Sequence, residues 1–217
     1  MTFLAKSKLA ALSLATILAT LNIPARAEDA ATGKQLFMTR TCIACHGKNG
    51  AKAIMMYPNL AGQNEAYLFE QMKDIASGKR VSGPDARGYP RTQAMKDVMS
   101  IVSDQELKTI AAWLSTQPPP APAQPGDAAQ VAKGAKLYDD TGCAACHGDQ
   151  GLKPMPGYPV VGGQKKNYLV LQIKEIRDGV RTNGPSKIMR PVVASLSDAD
   201  IDALAEYLSQ INRAAQK

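Results

Sequence analysis

Apolar residues recur at helical spacing along both halves of the chain and nowhere alternate as they would in a half-buried strand. Each half has three such stretches. They are predicted at about 32–39, 64–77 and from Ser103 onward in the first half, and at about 132–139, 166–178 and from Ser197 onward in the second. Both serines have an acid three residues later, which is typical of a helix N-terminus. The pattern predicts an all-α protein.

The two halves are copies of each other. The segment YPNLAGQNEAYLFEQMKDIASGKR (57–80) matches YPVVGGQKKNYLVLQIKEIRDGVR (158–181) at an offset of 101 residues. After the Gly-Pro that follows, the offset falls to 94, so the first half has seven additional residues between Pro84 and Met95. Proline and glycine there predict a loop. Self-similarity of this kind predicts two domains of one fold.

A proline-rich segment, QPPPAPAQPG, occupies positions 117–126 between the copies. Five prolines in ten residues exclude a helix or a central strand and favour an extended linker. We therefore predict an N-terminal domain at 28–117, a linker at 118–126 and a C-terminal domain at 127–217.

Residues 1–27 are predicted to be a secretory signal peptide. Lys6 and Lys8 precede an uncharged apolar run, and Ala25 and Ala27 have the spacing of a cleavage site. The alternative is an uncleaved membrane anchor, although the run is shorter than the ~20 residues that a spanning helix needs. Either segment would export the rest of the chain, which predicts a location in the periplasm.

Charge and composition narrow the choice of partners. The chain has 26 basic and 19 acidic side chains, a formal net charge of +7, and loss of residues 1–27 would lower this to +4. So mild an excess predicts no nucleic-acid partner. Aromatic residues make up only 5% of the chain, so two small domains would have thin cores if side chains alone filled them.

All four cysteines and both histidines of the chain lie in two copies of a CxxCH motif. The copies are Cys42, Cys45 and His46 in the first half and Cys143, Cys146 and His147 in the second. In this spacing two thiols can form thioethers with the two vinyl groups of one haem, and the histidine then lies under the iron as its proximal ligand.

Two other uses of a CxxC pair fit this sequence less well. A zinc ribbon usually has its two pairs about 15 to 20 residues apart, whereas these pairs belong to different domains. A thioredoxin-like redox motif would need a βαβ surrounding, which the helical pattern does not offer. We predict two covalently attached haem c groups, which would also fill the thin cores.

The sixth ligand of each iron must come from outside the motifs. With both histidines used, methionine is the next candidate, because its thioether is neutral and soft and stabilises ferrous iron. The second half contains only Met155 and Met189. Met155 lies eight residues after His147 in the loop that leaves the proximal side, so we predict Met189.

The repeat selects the corresponding methionine in the first half. Met95 stands eight residues before Ser103, as Met189 stands before Ser197, and Met99 is the alternative. We predict Met95. The other methionines are expected to be flexible apolar packing around the haem; they are Met38, Met55, Met56, Met72 and Met155.

Arg80 and Arg181 occupy equivalent positions just after the second predicted helix of each half. Guanidinium matches the geometry of a carboxylate, so either side chain could bind a haem propionate. A solvated position on the surface is the alternative.

The chain resembles the dihaem cytochrome c4 family, which has two class I cytochrome c domains in tandem. The resemblance covers residues 30–213 and rests on CIACHG and CAACHG, on YPNLAGQ and YPVVGGQ, and on a methionine before the SD start of each last helix. It implies that a glycine and an aromatic residue of the first helix pack on an aromatic residue of the last helix. These residues would be Gly33, Phe37 and Trp113 in one half and Gly134, Tyr138 and Tyr207 in the other.

An iron held by histidine and methionine has no free coordination position, so it exchanges electrons but does not readily bind peroxide or oxygen. We therefore predict an electron carrier with no catalytic residues, whose partners are redox proteins and for which peripheral membrane association stays open. The resemblance implies transfer from a quinol-oxidising complex to a terminal oxidase.

Two other functions are considered. The first is the electron-accepting subunit of a larger dehydrogenase, for example one with a flavoprotein partner. The second is a dihaem peroxidase or thiosulfate-oxidising enzyme, for which the chain has no spare histidine or cysteine to build an open or unusual iron site.

Overall fold

The computed structural model describes residues 25–122 and 125–215, and these residues form helices joined by loops. Within them, the only β-type pairing is an isolated bridge between Pro84 and Pro90. Residues 1–24 of the predicted signal peptide and 123–124 of the predicted linker lie outside the described residues. No helix in the described part is long and apolar enough to cross a membrane.

The helices follow the same order in the two halves. In the first half they are α1 Ala25–Thr39, α2 Ile43–His46, α3 Glu65–Ala76, α4 Gln93–Met99 and α5 Asp104–Ser115. In the second half they are α6 Ala128–Asp140, α7 Ala144–His147, α8 Lys166–Arg177, α9 Ser186–Val193 and α10 Asp198–Ser209. Short 3-10 turns occur at Asp149–Gly151, directly after α7, and at Arg213–Ala215, after α10.

The helix starts predicted at the two serines are present. The hydroxyl of Ser103 accepts from the N–H of Glu106, whose carboxylate accepts from the N–H of Ser103, and Ser197 and Asp200 form the same reciprocal pair. These capping boxes fix where α5 and α10 begin.

The pattern did not predict α4 and α9, the short helices that carry Met95 and Met189. Helices of seven and eight residues are marginal in isolation, and Pro191 interrupts the local signal of α9. Contacts with α3 and α8 hold them instead. Helices α1 and α6 also begin earlier than predicted, because small residues favour a helix without giving it an apolar face.

In the first half, α1 crosses α5 at a glycine. A Cβ atom built on Gly33 would lie 2.4 Å from the Cβ of Trp113, so only glycine allows this approach. The ring centroids of Phe37 and Trp113 are 5.1 Å apart beside the crossing. This is the glycine–aromatic packing that the resemblance implies.

In the second half α6 crosses α10 in the same way, and these two helices approach each other more closely. A Cβ atom on Gly134 would lie 2.1 Å from the carbonyl oxygen of Ala203. The ring centroids of Tyr138 and Tyr207 are 5.8 Å apart.

Gly134→Ala is expected to destabilise the second domain, because its methyl group would overlap backbone atoms that cannot rotate away. Overpacking costs typically about 1–3 kcal/mol, and we expect the upper end of that range. Urea unfolding of the haem-loaded protein measures the loss. The control is Ala132→Ser at an exposed position of the same helix, which should change the free energy of unfolding by less than ~0.5 kcal/mol. An unchanged midpoint for Gly134→Ala would contradict the close crossing.

The halves pack on each other through a reciprocal pair of glutamines. The side chain of Gln63 donates to the carbonyl of Val160 and accepts from its N–H, both at 2.8 Å. Gln164, the equivalent residue, does the same with Asn59 at 2.8 and 2.9 Å. Both glutamines are buried, and each side-chain amide pairs with the backbone of the other domain as a peptide group would. The two domains are therefore joined by fixed contacts as well as by the linker.

The additional residues of the first half form an ordered loop, as predicted. Besides the bridge between Pro84 and Pro90, the N–H of Asp85 donates to the carbonyl of Tyr89 at 2.7 Å. The carboxylate of Asp85 accepts from the N–H groups of Arg87 and Tyr89 at 2.8 and 3.1 Å. This loop, residues 84–92, is called the insertion loop below.

Candidate functional site

A continuous cavity of about 1160 Å³ joins the two CxxCH motifs. This volume is above the roughly 300–1,000 Å³ of a typical small-molecule site, and both halves of the chain contribute walls. Every site residue predicted from the sequence lines this cavity: Cys42, Cys45, His46, Arg80, Met95, Cys143, Cys146, His147, Arg181 and Met189.

The CxxCH motif forms a single helical turn, which explains its spacing. Cys42 has helical backbone angles and caps α2, so it stands three residues before Cys45 and four before His46 on one helix face. Gly47 then ends the turn with φ at +74°. A Cβ atom there would lie 2.6 Å from the carbonyl oxygen of Lys52, so the chain can reverse here only at a glycine. The second motif has the same geometry on α7.

A backbone carbonyl fixes the orientation of each histidine. Nδ1 of His46 lies 3.0 Å from the oxygen of Pro58, and Nδ1 of His147 lies 3.1 Å from that of Pro159. Because a carbonyl only accepts, Nδ1 carries the proton and the lone pair of Nε2 remains for a metal.

Both imidazoles are kept in their neutral, metal-binding form. Burial lowers the pKa of His46 and of His147, and the hydrogen bonds to the carbonyls oppose this only in part. The first thiol of each motif is also neutral, because burial raises the pKa of Cys42 and Cys143 to about 11. The surroundings suit the uncharged sulfur of a thioether.

The structure separates the methionines that were candidates for the sixth position. Met95 and Met189 line the cavity and pack against the edge of their domain cores. Met99 is only 2% exposed within the first core and does not line the cavity. Met155 is 51% exposed and does not line it either.

The prediction that the remaining methionines pack around the haem is wrong for Met38 and Met155. Met72 is buried and lines the cavity, and Met55 and Met56 line it near the surface. Met38 and Met155 are about half exposed and lie outside the cavity wall. Met38 follows the buried Phe37 on α1 and therefore turns away from the core, a direction that composition alone does not give.

Arg80 and Arg181 are buried at the domain interface, so the alternative of a solvated surface position is wrong. Arg80 donates to Gln71 of its own half at 3.0 Å, and to Tyr168 and Gln172 of the other half at 2.9 and 3.0 Å. Arg181 repeats the arrangement in reverse, with Gln172 at 2.7 Å and Gln71 at 2.9 Å. Each guanidinium thus bridges the two domains.

This pair of cations makes the cavity wall positive. Burial raises the pKa of the Tyr67 phenol, but the nearby guanidiniums of Arg181 and Arg80 outweigh that effect and lower the pKa overall. Two buried cations beside apolar walls suit a large apolar ligand that carries carboxylates. Haem has this chemistry, so the residues present fit the predicted cofactor.

Sequence reasoning did not assign a role to the interface residues Gln63, Tyr67 and Gln71. Each of them is identical in the second copy, at Gln164, Tyr168 and Gln172. Identity at an offset of 101 was therefore a usable signal for residues that act in pairs across the interface.

Comparison with known proteins identifies the family. The model of the family described as Cytochrome c matches residues 30–118 and 131–212. Cytochrome c4 of Azotobacter vinelandii is 35% identical over 210 residues, which cover 92% of this chain and 99% of that protein. The chain belongs to the cytochrome c4 family. The crystal structure of reduced recombinant cytochrome c4 from Pseudomonas stutzeri is also similar, with a TM-score of 0.72, 35% identity and coverage of 84% of this chain and 98% of that chain.

A relative that bears a different name is also similar. The thiosulfate dehydrogenase electron acceptor of Stutzerimonas stutzeri (strain A1501) is 31% identical over 181 residues, which cover 79% of this chain and 79% of that protein.

Membership of the family confirms the predicted architecture of two tandem cytochrome c domains. It also confirms the predicted cofactors, two covalently bound haem c groups, one for each CxxCH motif. Electron transfer is the function that these matches support.

Proposed function

We propose that this chain is a periplasmic dihaem carrier that takes electrons from a quinol-oxidising complex and delivers them to a terminal oxidase. The observation that carries the dihaem carrier is the shared cavity, which brings together two histidines and two methionines from equivalent elements of the two domains. The donor and the acceptor are proposed from the family resemblance. A carrier of this design keeps substrates off the metal while leaving it within reach of partners.

Each domain would hold its haem with four side chains. In the first domain Cys42 and Cys45 would form the thioethers, and Nε2 of His46 and the sulfur of Met95 would bind the iron. In the second domain the corresponding residues are Cys143, Cys146, His147 and Met189. Haem iron supplies one-electron chemistry, and the protein contributes ligation and orientation and excludes water.

Arg80 and Arg181 are proposed to hold haem propionates. Their burial, their place in the cavity wall and their positive charge support this role. Because each arginine also bonds to the opposite domain, it would link the position of the carboxylates to the packing of the domains.

The route to the periplasm is proposed to be export by residues 1–27. The proposed domain boundaries are 28–117 and 127–217, with 118–126 between them. N-terminal sequencing of the exported protein tests the cleavage after Ala27, and a chain that retains residues 1–27 would support the membrane-anchor alternative instead.

A redox titration followed by optical and magnetic spectra tests the proposed function. We expect two reversible one-electron centres, both low-spin and both with histidine–methionine ligation. A high-spin iron that changes on addition of peroxide to the reduced protein would favour an enzyme instead.

The second candidate function is the electron-accepting subunit of a dehydrogenase. The similarity to a thiosulfate dehydrogenase electron acceptor is the observation that favours it. Purification of the protein from its native membranes and periplasm separates the two functions. A stoichiometric catalytic partner would support the dehydrogenase subunit, whereas a free dihaem protein would support the respiratory carrier.

A further inference from the structure

The interface breaks the symmetry of the two domains at one pair of equivalent acids. Asp74 on α3 accepts from the neutral side-chain amide of Asn183 at 2.7 Å. Glu175, its counterpart on α8, accepts from the N–H of Gly83 at 2.9 Å and faces the guanidinium of Arg91 at 3.6 Å. Across the interface, Asp74 is therefore paired with a neutral amide, whereas Glu175 is paired with a cation.

The insertion loop is the reason for this difference. Arg91 lies at its base, where the N–H of Arg91 donates to the carbonyl of Gly83 at 3.1 Å next to the bridge between Pro84 and Pro90. The second half has no such loop, because Gly184 and Pro185 lead directly into α9. Among the residues that the structure describes, the ion pair therefore has no counterpart on the other side of the interface.

Because the ion pair is partly buried, its charges act on their surroundings more strongly than exposed charges would. The side chain of Glu175 is 6% exposed and that of Arg91 is 35% exposed. The second carboxylate oxygen of Glu175 accepts from Gln172 at 3.0 Å, so the acid is held from both domains. Charges that are partly withdrawn from water are screened much less than exposed ones.

The two members of the pair lie differently with respect to the cavity. Arg91 lines the cavity next to the start of α4, the helix that carries Met95, whereas Glu175 lies behind the wall. Arg91, and not Glu175, is therefore the member of the pair that a haem in the first domain would face. A nearby positive charge stabilises ferrous over ferric haem and so raises the reduction potential.

We propose that Arg91, held in place by Glu175, raises the potential of the first haem relative to the second. This makes Arg91 a positioned charge that acts on the first site and has no counterpart at the second. The proposal rests on the proposed function, because it requires both haems to be electron-carrying centres.

Arg91→Gln tests the proposal in the haem-loaded protein. The ratio of ferrous to ferric first haem at a fixed applied potential should fall at least threefold, which is about 28 mV for a one-electron couple at 59 mV per tenfold change. The second haem should change less. Combining the substitution with Met189→Ala, which displaces the second potential, assigns the change to one haem.

Two further variants separate charge from structure. Arg91→Lys keeps the charge and should shift the ratio by less than threefold. Lys79→Gln removes one cation from an exposed position of the same domain outside the cavity wall, and should also have less effect than Arg91→Gln. Circular dichroism and haem content establish that all three variants are folded.

Two results would overturn the inference alone. One is a pair of reversible centres whose potentials Arg91→Gln leaves unchanged. The other is a shift in Arg91→Lys or Lys79→Gln as large as the shift in Arg91→Gln. The absence of two reversible one-electron centres in the unsubstituted protein would instead contradict the proposed function.

Discussion

Expressed without haem attachment, the chain is expected to stay unfolded instead of forming a helical apoprotein. The helices surround a cavity of about 1160 Å³. Without haem this space would be left to water, and the apolar side chains that line it would lose their contacts with the porphyrin. A whole domain is stable by only about 5–15 kcal/mol, so the polypeptide without haem has too little favourable packing to hold this fold.

Far-UV circular dichroism and mass spectrometry of the protein made with and without a haem-attachment system measure this effect. The double substitution Cys143→Ala and Cys146→Ala is a matched control within one molecule. It should remove the mass of one haem and the helicity of the second domain, and leave the first domain with its haem. A stable helical apoprotein would show that side chains alone can fill the cores.

Met189→Ala is expected to lower the potential of the second haem and to leave the first haem nearly unchanged. The thioether stabilises ferrous iron, and no other methionine of the second domain reaches the cavity. Axial ligands set haem potentials over a range of ≈ 0.8 V, so a drop of roughly 0.1 V or more is expected. A redox titration followed by optical spectra measures it.

Two sets of controls are available for this experiment. Met155→Ala removes an exposed thioether from the same domain and should leave both potentials unchanged. In the first domain, Met95→Ala should lower the potential of the first haem. Met99→Ala should instead lower the free energy of unfolding by ~2–5 kcal/mol, because it opens a cavity in the core. Loss of the second haem's distal ligation in Met155→Ala would show that the assignment of Met189 is wrong.

The sequence predicted the fold class because helical spacing and the repeat are local properties of the chain. It also predicted ten residues that the structure places around one cavity. The CxxCH residues could be predicted because the motif has to lie on one helical turn, and Met95 could be predicted because it aligns with Met189 in the repeat. These signals need no knowledge of how the domains face each other.

What the sequence did not predict depends on contacts between distant parts of the chain. Helix α9 has only eight residues and contains Pro191, so its formation against α8 could not be read from local signals. Arg80 looked compatible with a surface position because nothing near it in sequence reveals the opposite domain that buries it. The exposure of Met38 has a similar origin, since an apolar side chain is not always inside a protein.

The reciprocal pairing of Gln63 and Gln164 has a consequence for how the halves depend on one another. These hydrogen bonds are made to backbone groups, so the spacing of the two irons should not depend on the length of the tether between the halves. A protein cut within the proline-rich segment should then remain a single particle. Electron tunnelling between its irons would proceed at the rate of the uncut chain, and only encounters with outside partners would depend on diffusion.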